Sequence, residues 1–169
     1  LSNKGIELTL NANIINKKDF VWDANVSLAS NIQVIEKLSD QTYETDAVPS
    51  GSLHNVRGMS NQFAQIISEG YAVGTFWGPV CSGIDSTGKY TLENDGEAQD
   101  LGNVQPKLSF GFGTNISWKN FDLEIAAYGM LGQKVLNVTA MAMNDPSRLP
   151  TQNVPDGFLE TGLTSKTAF

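Results

Sequence analysis

Four carboxylates close together are the first residues that could do chemistry: Glu93, Asp95, Glu97 and Asp100, gathered around Gly96. A calcium loop takes oxygen ligands from alternating positions and needs a glycine at the sixth. Counted from Glu93, the sixth position is Ala98, so the template fails. The four stand as weak metal candidates beside the plain reading of a solvated acidic loop. Paired carboxylates also serve glycoside hydrolysis, but none here sits in a recognisable acid/base context. Nucleophilic catalysis needs a base beside a serine or thiol. The single histidine, His54, lies in a polar loop far in sequence from the single cysteine, Cys81. Cys81 reads as an inert packed thiol, and His54 as a surface residue with no ligand at metal spacing. No catalytic residue and no cofactor is expected.

Aromatic rings are the other candidates. Tyr71, Phe76 and Trp77 are interleaved with Gly70, Gly74 and Gly78. A ring face stacks on the apolar face of a sugar, so the three make a candidate substrate platform. Glycines beside rings are equally what close local packing in a large loop requires. A second set, Phe20, Trp22, Trp118 and Phe121, stands beside short turns.

Those turns belong to the elements that position everything else. From Leu108 to Trp118, Leu108, Phe110, Phe112, Thr114, Ile116 and Trp118 share one parity, with Ser109, Gly111, Gly113, Asn115 and Ser117 on the other. After Lys119-Asn120, Phe121, Leu123, Ile125 and Ala127 alternate with Asp122, Glu124, Ala126 and Tyr128. A period of two means strands with one apolar face, and two such runs about a short turn predict an antiparallel hairpin. The device occurs earlier as well. Ile6, Leu8, Leu10, Ala12 and Ile14 alternate with Glu7, Thr9, Asn11 and Asn13; after a turn at Asn16–Asp19, Phe20, Trp22, Ala24, Val26 and Leu28 alternate with Val21, Asp23, Asn25, Ser27 and Ala29. Runs of about 11 residues are long for a globular strand and match the ~9–11 that cross a bilayer at a tilt. Rings at one end of such strands suit a membrane-interface girdle, and they equally suit a sandwich core near a turn.

The fold class is therefore all-β: long antiparallel hairpins, large loops and one short helix. The layout is a hairpin over residues 4–30, a long loop over 31–105, a hairpin over 106–131 and a loop over 132–169. Inside the long loop, the stretch from about Ser39 to Ser60 is polar, Phe63 to Ser68 is apolar, and residues 83–92 form a small turn and strand. The spacing of Val135, Leu136, Val138, Thr139 and Ala142 predicts a short helix that Pro146 stops. Short turns at one end and long connections at the other are the asymmetry of outer-membrane barrels.

Composition narrows the class further. The 169 residues are 40% hydrophobic and contain no apolar run long enough for a spanning helix. Alternation keeps the hydropathy of a β-barrel low, so a barrel stays open. A net charge of −7 argues against nucleic acid as a partner. A single cysteine leaves no disulfide framework. Both ends read as cut from a longer protein.

The ordered motifs carry a family resemblance. Asn3-Lys4-Gly5-Ile6-Glu7-Leu8-Thr9-Leu10, Phe20-Val21-Trp22, Gly74-Thr75-Phe76-Trp77-Gly78, Leu101-Gly102-Asn103-Val104-Gln105-Pro106-Lys107 and Lys119-Asn120-Phe121-Asp122-Leu123 resemble the SusC/RagA family. These are TonB-linked outer-membrane transporters of Bacteroidetes, and the resemblance covers roughly residues 3–142. It implies a late portion of a barrel of about 22 strands, with the plug and the TonB-engaging segment outside this chain. It implies import of oligosaccharides or peptides, a SusD-like surface lipoprotein as partner, and outer-membrane lipid against the apolar parity. Glu7, Asn11, Asp23, Asn25, Asn115, Asp122 and Glu124 would then face the lumen. Family members often carry a fuller acidic loop before the Gly-Asn-x-x-Pro-Lys block, thinned here to Glu93–Asp100, which weakens a calcium inference. The competing reading is a soluble β-sandwich, a glycan-binding or adhesion module whose apolar parity packs into a core.

Overall fold

The computed structural model describes residues 1–39, 44–54, 56, 59–143, 151 and 153. Among them the strands are β1 (Ser2–Lys17), β2 (Phe20–Val34), β3 (Ala47–Ser52), β4 (Phe63–Ser68), β5 (Thr75–Gly78), β6 (Cys81–Ile84), β7 (Tyr90–Leu92), β8 (Gln99–Asn103), β9 (Leu108–Trp118) and β10 (Phe121–Leu131), followed by helix α1 (Val138–Met143). The stretch over 31–105 that links the two long hairpins thus holds six of these strands, β3 to β8. They are short, with turn residues between them, and their alternation is too brief to stand out in the sequence.

The chain divides into two compact units. The first comprises Leu1–Lys37, Glu69–Val73 and Asn103–Lys134. It is built on one antiparallel sheet in the order β1-β2-β9-β10. Both hairpins form as the period of two predicts: Leu8 opposes Leu28, and Leu123 opposes Ile116. What joins them is long-range, with Phe20 opposite Trp118 and Leu28 opposite Phe110. The first hairpin contains a bulge between Asn13 and Ile15, so Ile15, not Ile14, opposes Trp22. That corrects the expectation that Ile14 continues the apolar parity, because an inserted residue shifts every later side chain to the other face. Two adjacent isoleucines hide the shift from the sequence.

Polar contacts close the end of this unit away from the short turns. Ile35 N–H donates to Tyr71 O at 2.9 Å and Gly70 N–H to Ile35 O at 2.8 Å, laying the 69–73 segment beside the chain that leaves β2. Asn103 Nδ2 donates to Val73 O at 3.1 Å, and Gln105 N–H donates to Asn103 Oδ1 at 2.7 Å. Gln105 Nε2 reaches Gln33 Oε1 at 2.9 Å. The Asn-x-Gln-Pro-Lys stretch is therefore a turn held by its own asparagine side chain, and it delivers Leu108 into β9.

The second unit comprises Leu38–Ser68, Gly74–Gly102 and Val135–Phe169. It holds the sheet β3-β4-β5-β8 and the small hairpin β6-β7. Its core is Leu53, Val56 and Met59, with Ala64 and Met141 packed against them. Helix α1 starts at Val138, three residues later than the pattern predicts, because Asn137 Oδ1 accepts the Ala140 N–H at 2.8 Å and acts as its cap. Pro146, expected to stop that helix, lies outside the described residues, as does most of the loop expected over 132–169.

Candidate functional site: the two faces of the long sheet

Residues opposed across an antiparallel pair lie on one face, so the register assigns every side chain of the first unit's sheet. One face runs through the rows Leu8–Leu28–Phe110–Gly129, Leu10–Val26–Phe112–Ala127, Ala12–Ala24–Thr114–Ile125 and Ile15–Trp22–Ile116–Leu123, and ends at Lys17–Phe20–Trp118–Phe121. The other runs through Thr9–Ser27–Gly111–Tyr128, Asn11–Asn25–Gly113–Ala126 and Asn13–Asp23–Asn115–Glu124. Charge is sorted between them. On the apolar face the charged strand residues are Lys4 and Lys17, near opposite ends of β1; on the polar face they are Glu7, Asp23, Asp122 and Glu124.

The apolar face is bare. Ile6 is 79% exposed, Leu10 61% and Phe121 73%. On this face no charge interrupts β1 from Ile6 to Ile15, a length of ~30 Å at ~3.3 Å per residue. At a tilt of ~45° that projects to ~21 Å, close to the ~25 Å apolar band of a membrane barrel. A polar pair set into this face is tied down. Trp22 Nε1 donates to Thr114 Oγ1 at 2.9 Å, and Thr114 Oγ1 donates to Asp23 O at 3.0 Å. Neither polar hydrogen needs water.

The polar face is shallow where glycines form its floor. A Cβ on Gly111 would come within 2.6 Å of Ser27 Oγ, and one on Gly113 within 2.6 Å of Asn25 Nδ2. Those two side chains lean over the vacant positions. A trough of about 300 Å³ results, with Asn115, Glu124 and Tyr128 on its rim. Asn13 Nδ2 donates to Asp23 Oδ1 at 2.6 Å nearby.

Four aromatic residues singled out by sequence gather at the turn end. Phe20, Trp118 and Phe121 occupy one row and Trp22 the next. The Trp118 and Phe121 rings stack at 6.4 Å between centroids. Lys119 Nζ lies 5.4 Å from the Trp118 ring centre. Lys119 N–H donates to Asp19 O at 3.0 Å, which ties one short turn to the other.

The remaining sequence candidates are dispersed. Phe76 is buried at 9% exposure, so its ring offers no stacking face, while Trp77 in the second unit and Tyr71 in the first are half-buried. Glu93 and Asp95 fall in a tight turn, Glu93–Gly96, in which Asn94, Asp95 and Gly96 all take positive φ. Asp100 Oδ1 accepts the Gly102 N–H at 2.7 Å. Among the described residues no group of three or more His, Cys, Asp or Glu side chains is placed to hold a metal. His54 Nδ1 lies 3.3 Å from Ser52 Oγ on the surface. Cys81 is exposed, its thiol on Gly83 O at 3.2 Å. That corrects the packed-thiol expectation: Cys81 opens a short strand of a two-stranded sheet, which leaves it uncovered.

Sequence reading passed over the residues with the most structured surroundings. Thr114 shows only as a hydroxyl in an apolar parity, and Asn103 only as part of a motif. Asp85 draws no notice, yet it accepts from Thr87 N–H and Thr87 Oγ1 at 2.7 Å each and from Lys89 N–H at 3.0 Å. Those bonds, the Thr87 hydroxyl foremost, hold its carboxyl below the ordinary value.

No family model matches the chain. The chain is 24% identical over 190 aligned residues to TonB-dependent receptor P3 of Formosa agariphila, covering 98% of this chain and 18% of that protein. Its fold matches a structure of the RagAB peptide transporter with a TM-score of 0.67 at 20% identity, covering 96% of this chain and 20% of the other. A structure of the RagAB peptide importer in the closed-closed state matches with a TM-score of 0.58 at 22% identity, over 78% of this chain and 15% of the other. The chain thus spans about a fifth of the length of these relatives. It is SusC/RagA-like in its motifs, and it has the fold of one portion of such a transporter, an open antiparallel piece of β-barrel. The relatives are a receptor and a transporter, not enzymes.

Proposed function

We propose that this SusC/RagA-like chain is a stretch of the wall of a TonB-dependent nutrient transporter in a bacterial outer membrane. The observation that carries this reading is the sorting of the long sheet. Its apolar face is uncharged between Lys4 and Lys17 and exposes Ile6, Leu8, Leu10 and Phe112, and its opposite face carries amides, hydroxyls and carboxylates. An uncovered apolar face of this size is stable only against lipid or another protein. Lipid faces one side, and the polar side lines a water-filled lumen. The row of Phe20, Trp118 and Phe121, with Trp22 beside it, is the interfacial girdle. A soluble sandwich would require a second layer over Leu8, Leu10 and Phe112, and all three are exposed.

The cargo is an oligosaccharide or a peptide, with a SusD-like surface lipoprotein as partner and TonB engaged through a part of the protein outside this chain. A peptide gains weight from the RagAB importer, whose fold the chain shares. Trp77 and Tyr71 are the proposed loop contacts, since each residue is only partly buried. Residues 31–105 and 132–169 belong to the loops beyond the membrane, and residues 4–30 and 106–131 to the wall.

Single cysteines carrying nitroxide labels test the wall assignment, in a Cys81→Ser background in lipid vesicles. Labels at Leu8, Leu10 and Phe112 should collide with dissolved oxygen, and labels at Thr9, Asn11 and Asn115 with a water-soluble nickel chelate. Loss of that alternation would overturn the reading.

A further inference from the structure

The turn end of the long sheet has chemistry that the girdle assignment does not use. Lys17 continues the row of Phe20, Trp118 and Phe121 on the apolar face. Lys119 sits at the other end of that line, its ammonium 5.4 Å from the Trp118 ring centre. Lys18 stands in the adjoining turn, held to the second turn by the Lys119 N–H to Asp19 O bond of 3.0 Å. The carboxylates of these strands nearest this end, Asp122, Asp23 and Glu124, all lie on the opposite face, which leaves Asp19 in the turn as the single acid beside the three lysines. A chain of net charge −7 therefore presents a local surplus of cations at the level where its rings lie.

We infer that this end of the sheet binds anionic phospholipid headgroups, with Lys17, Lys18 and Lys119 on lipid phosphates and the aromatic row seated just beneath them. The inference rests on the membrane reading above. A lysine on a lipid-facing row keeps its methylene stem along apolar surface and its ammonium at the headgroups. Each lysine near an anionic surface is worth roughly a fivefold gain in partitioning, the equivalent of about 1 kcal/mol. Diffuse electrostatics predicts the reverse, because a chain of net charge −7 is repelled by a negative surface.

The test is partitioning of the 169-residue chain, followed by tryptophan fluorescence, into vesicles of phosphatidylcholine alone or mixed with phosphatidylglycerol. The expected result is a preference for the anionic vesicles of roughly fivefold or more, weakened by salt. The combined variant Lys17→Gln, Lys18→Gln and Lys119→Gln should lose that preference while partitioning normally into neutral vesicles. A control with the same charge change, Lys37→Gln, Lys89→Gln and Lys134→Gln, should retain it. Equal partitioning into both vesicle types, or an equal loss in variant and control, overturns the inference and leaves the membrane reading standing. Failure of the unaltered chain to enter either vesicle overturns both.

Discussion

The indole Nε1 of Trp22 donates to the hydroxyl of Thr114 at 2.9 Å, across two strands separated by 92 positions in the chain. The hydroxyl passes its own proton to Asp23 O at 3.0 Å. The bond joins the two hairpins on the face read as lipid-facing, where an unpaired polar hydrogen has no water to turn to. Thr114→Val keeps the shape and removes the acceptor, so the indole is left unsatisfied. Stability of the protein in vesicles, by urea titration, should fall by about 1–3 kcal/mol. Thr114→Ser should recover most of that loss, which a purely steric role for Thr114 does not predict.

Leu10 and Asn11 are neighbours in β1 with opposite surroundings. Leu10 shares its row with Val26 and Phe112, and Asn11 with Asn25 and Gly113. Leu10→Arg should destabilise the protein in a bilayer by about 2–4 kcal/mol. Asn11→Arg should cost far less, because its face is wet. Unfolding titrations in vesicles decide between them, and equal costs would contradict the sidedness.

Phe110 and Gly129 are directly opposed, and the ring covers the glycine so closely that a Cβ there would come within 2.5 Å of Phe110 Cζ. A phenyl ring cannot shorten, so Gly129→Ala must displace it, at a cost of about 1–3 kcal/mol. In a Phe110→Leu background the same change should cost clearly less. A double-mutant cycle measures the difference, and simple additivity would show that the ring is not what confines position 129.

Asp85 anchors the turn between β6 and β7 through its bonds to Thr87 and Lys89. Its carboxyl titrates below the ordinary value when folded, so the carboxylate form stabilises the turn. That contribution is complete above the unfolded value of about 4 and disappears as pH falls through the lower folded value. Amide exchange at Thr87 and Lys89 should accelerate over that acid window. In Asp85→Asn the window should vanish.

Asn103 holds the turn that leads into β9, donating to Val73 O at 3.1 Å and accepting from Gln105 N–H at 2.7 Å. Asn103→Ala should lower stability by about 1–2 kcal/mol, two partly buried bonds being lost. Asn103→Asp retains the acceptor and should cost less. Proteolytic cleavage within residues 69–73 should quicken in the alanine variant, since that segment loses its side-chain tether.

The long hairpins were legible because a period of two is a local property: Leu108 to Trp118 and Phe121 to Ala127 each state their two faces without help from the rest of the chain. The aromatic row at the turns was legible for the same reason, since Phe20, Trp118 and Phe121 are placed by their distance from a turn. The acidic stretch, whose calcium template already fails in sequence, runs through a tight turn with positive φ at Asn94, Asp95 and Gly96, and among the described residues no group of three or more acidic, His or Cys side chains is placed to hold a metal. Cys81 looked like a packed thiol because burial depends on what covers a strand, which no residue type reveals.

Alternation alone determined that this chain makes long two-faced strands, and the motifs alone indicated a transporter of the SusC/RagA kind. Tertiary structure decided which strands meet, where Ile14 breaks the parity, and which polar atoms satisfy one another. The reason is range. A face is written in neighbours two apart, whereas the pairing of β2 with β9, and with it the Trp22–Thr114 bond, depends on residues about ninety apart. Their meeting is a property of the assembled sheet and of no single segment.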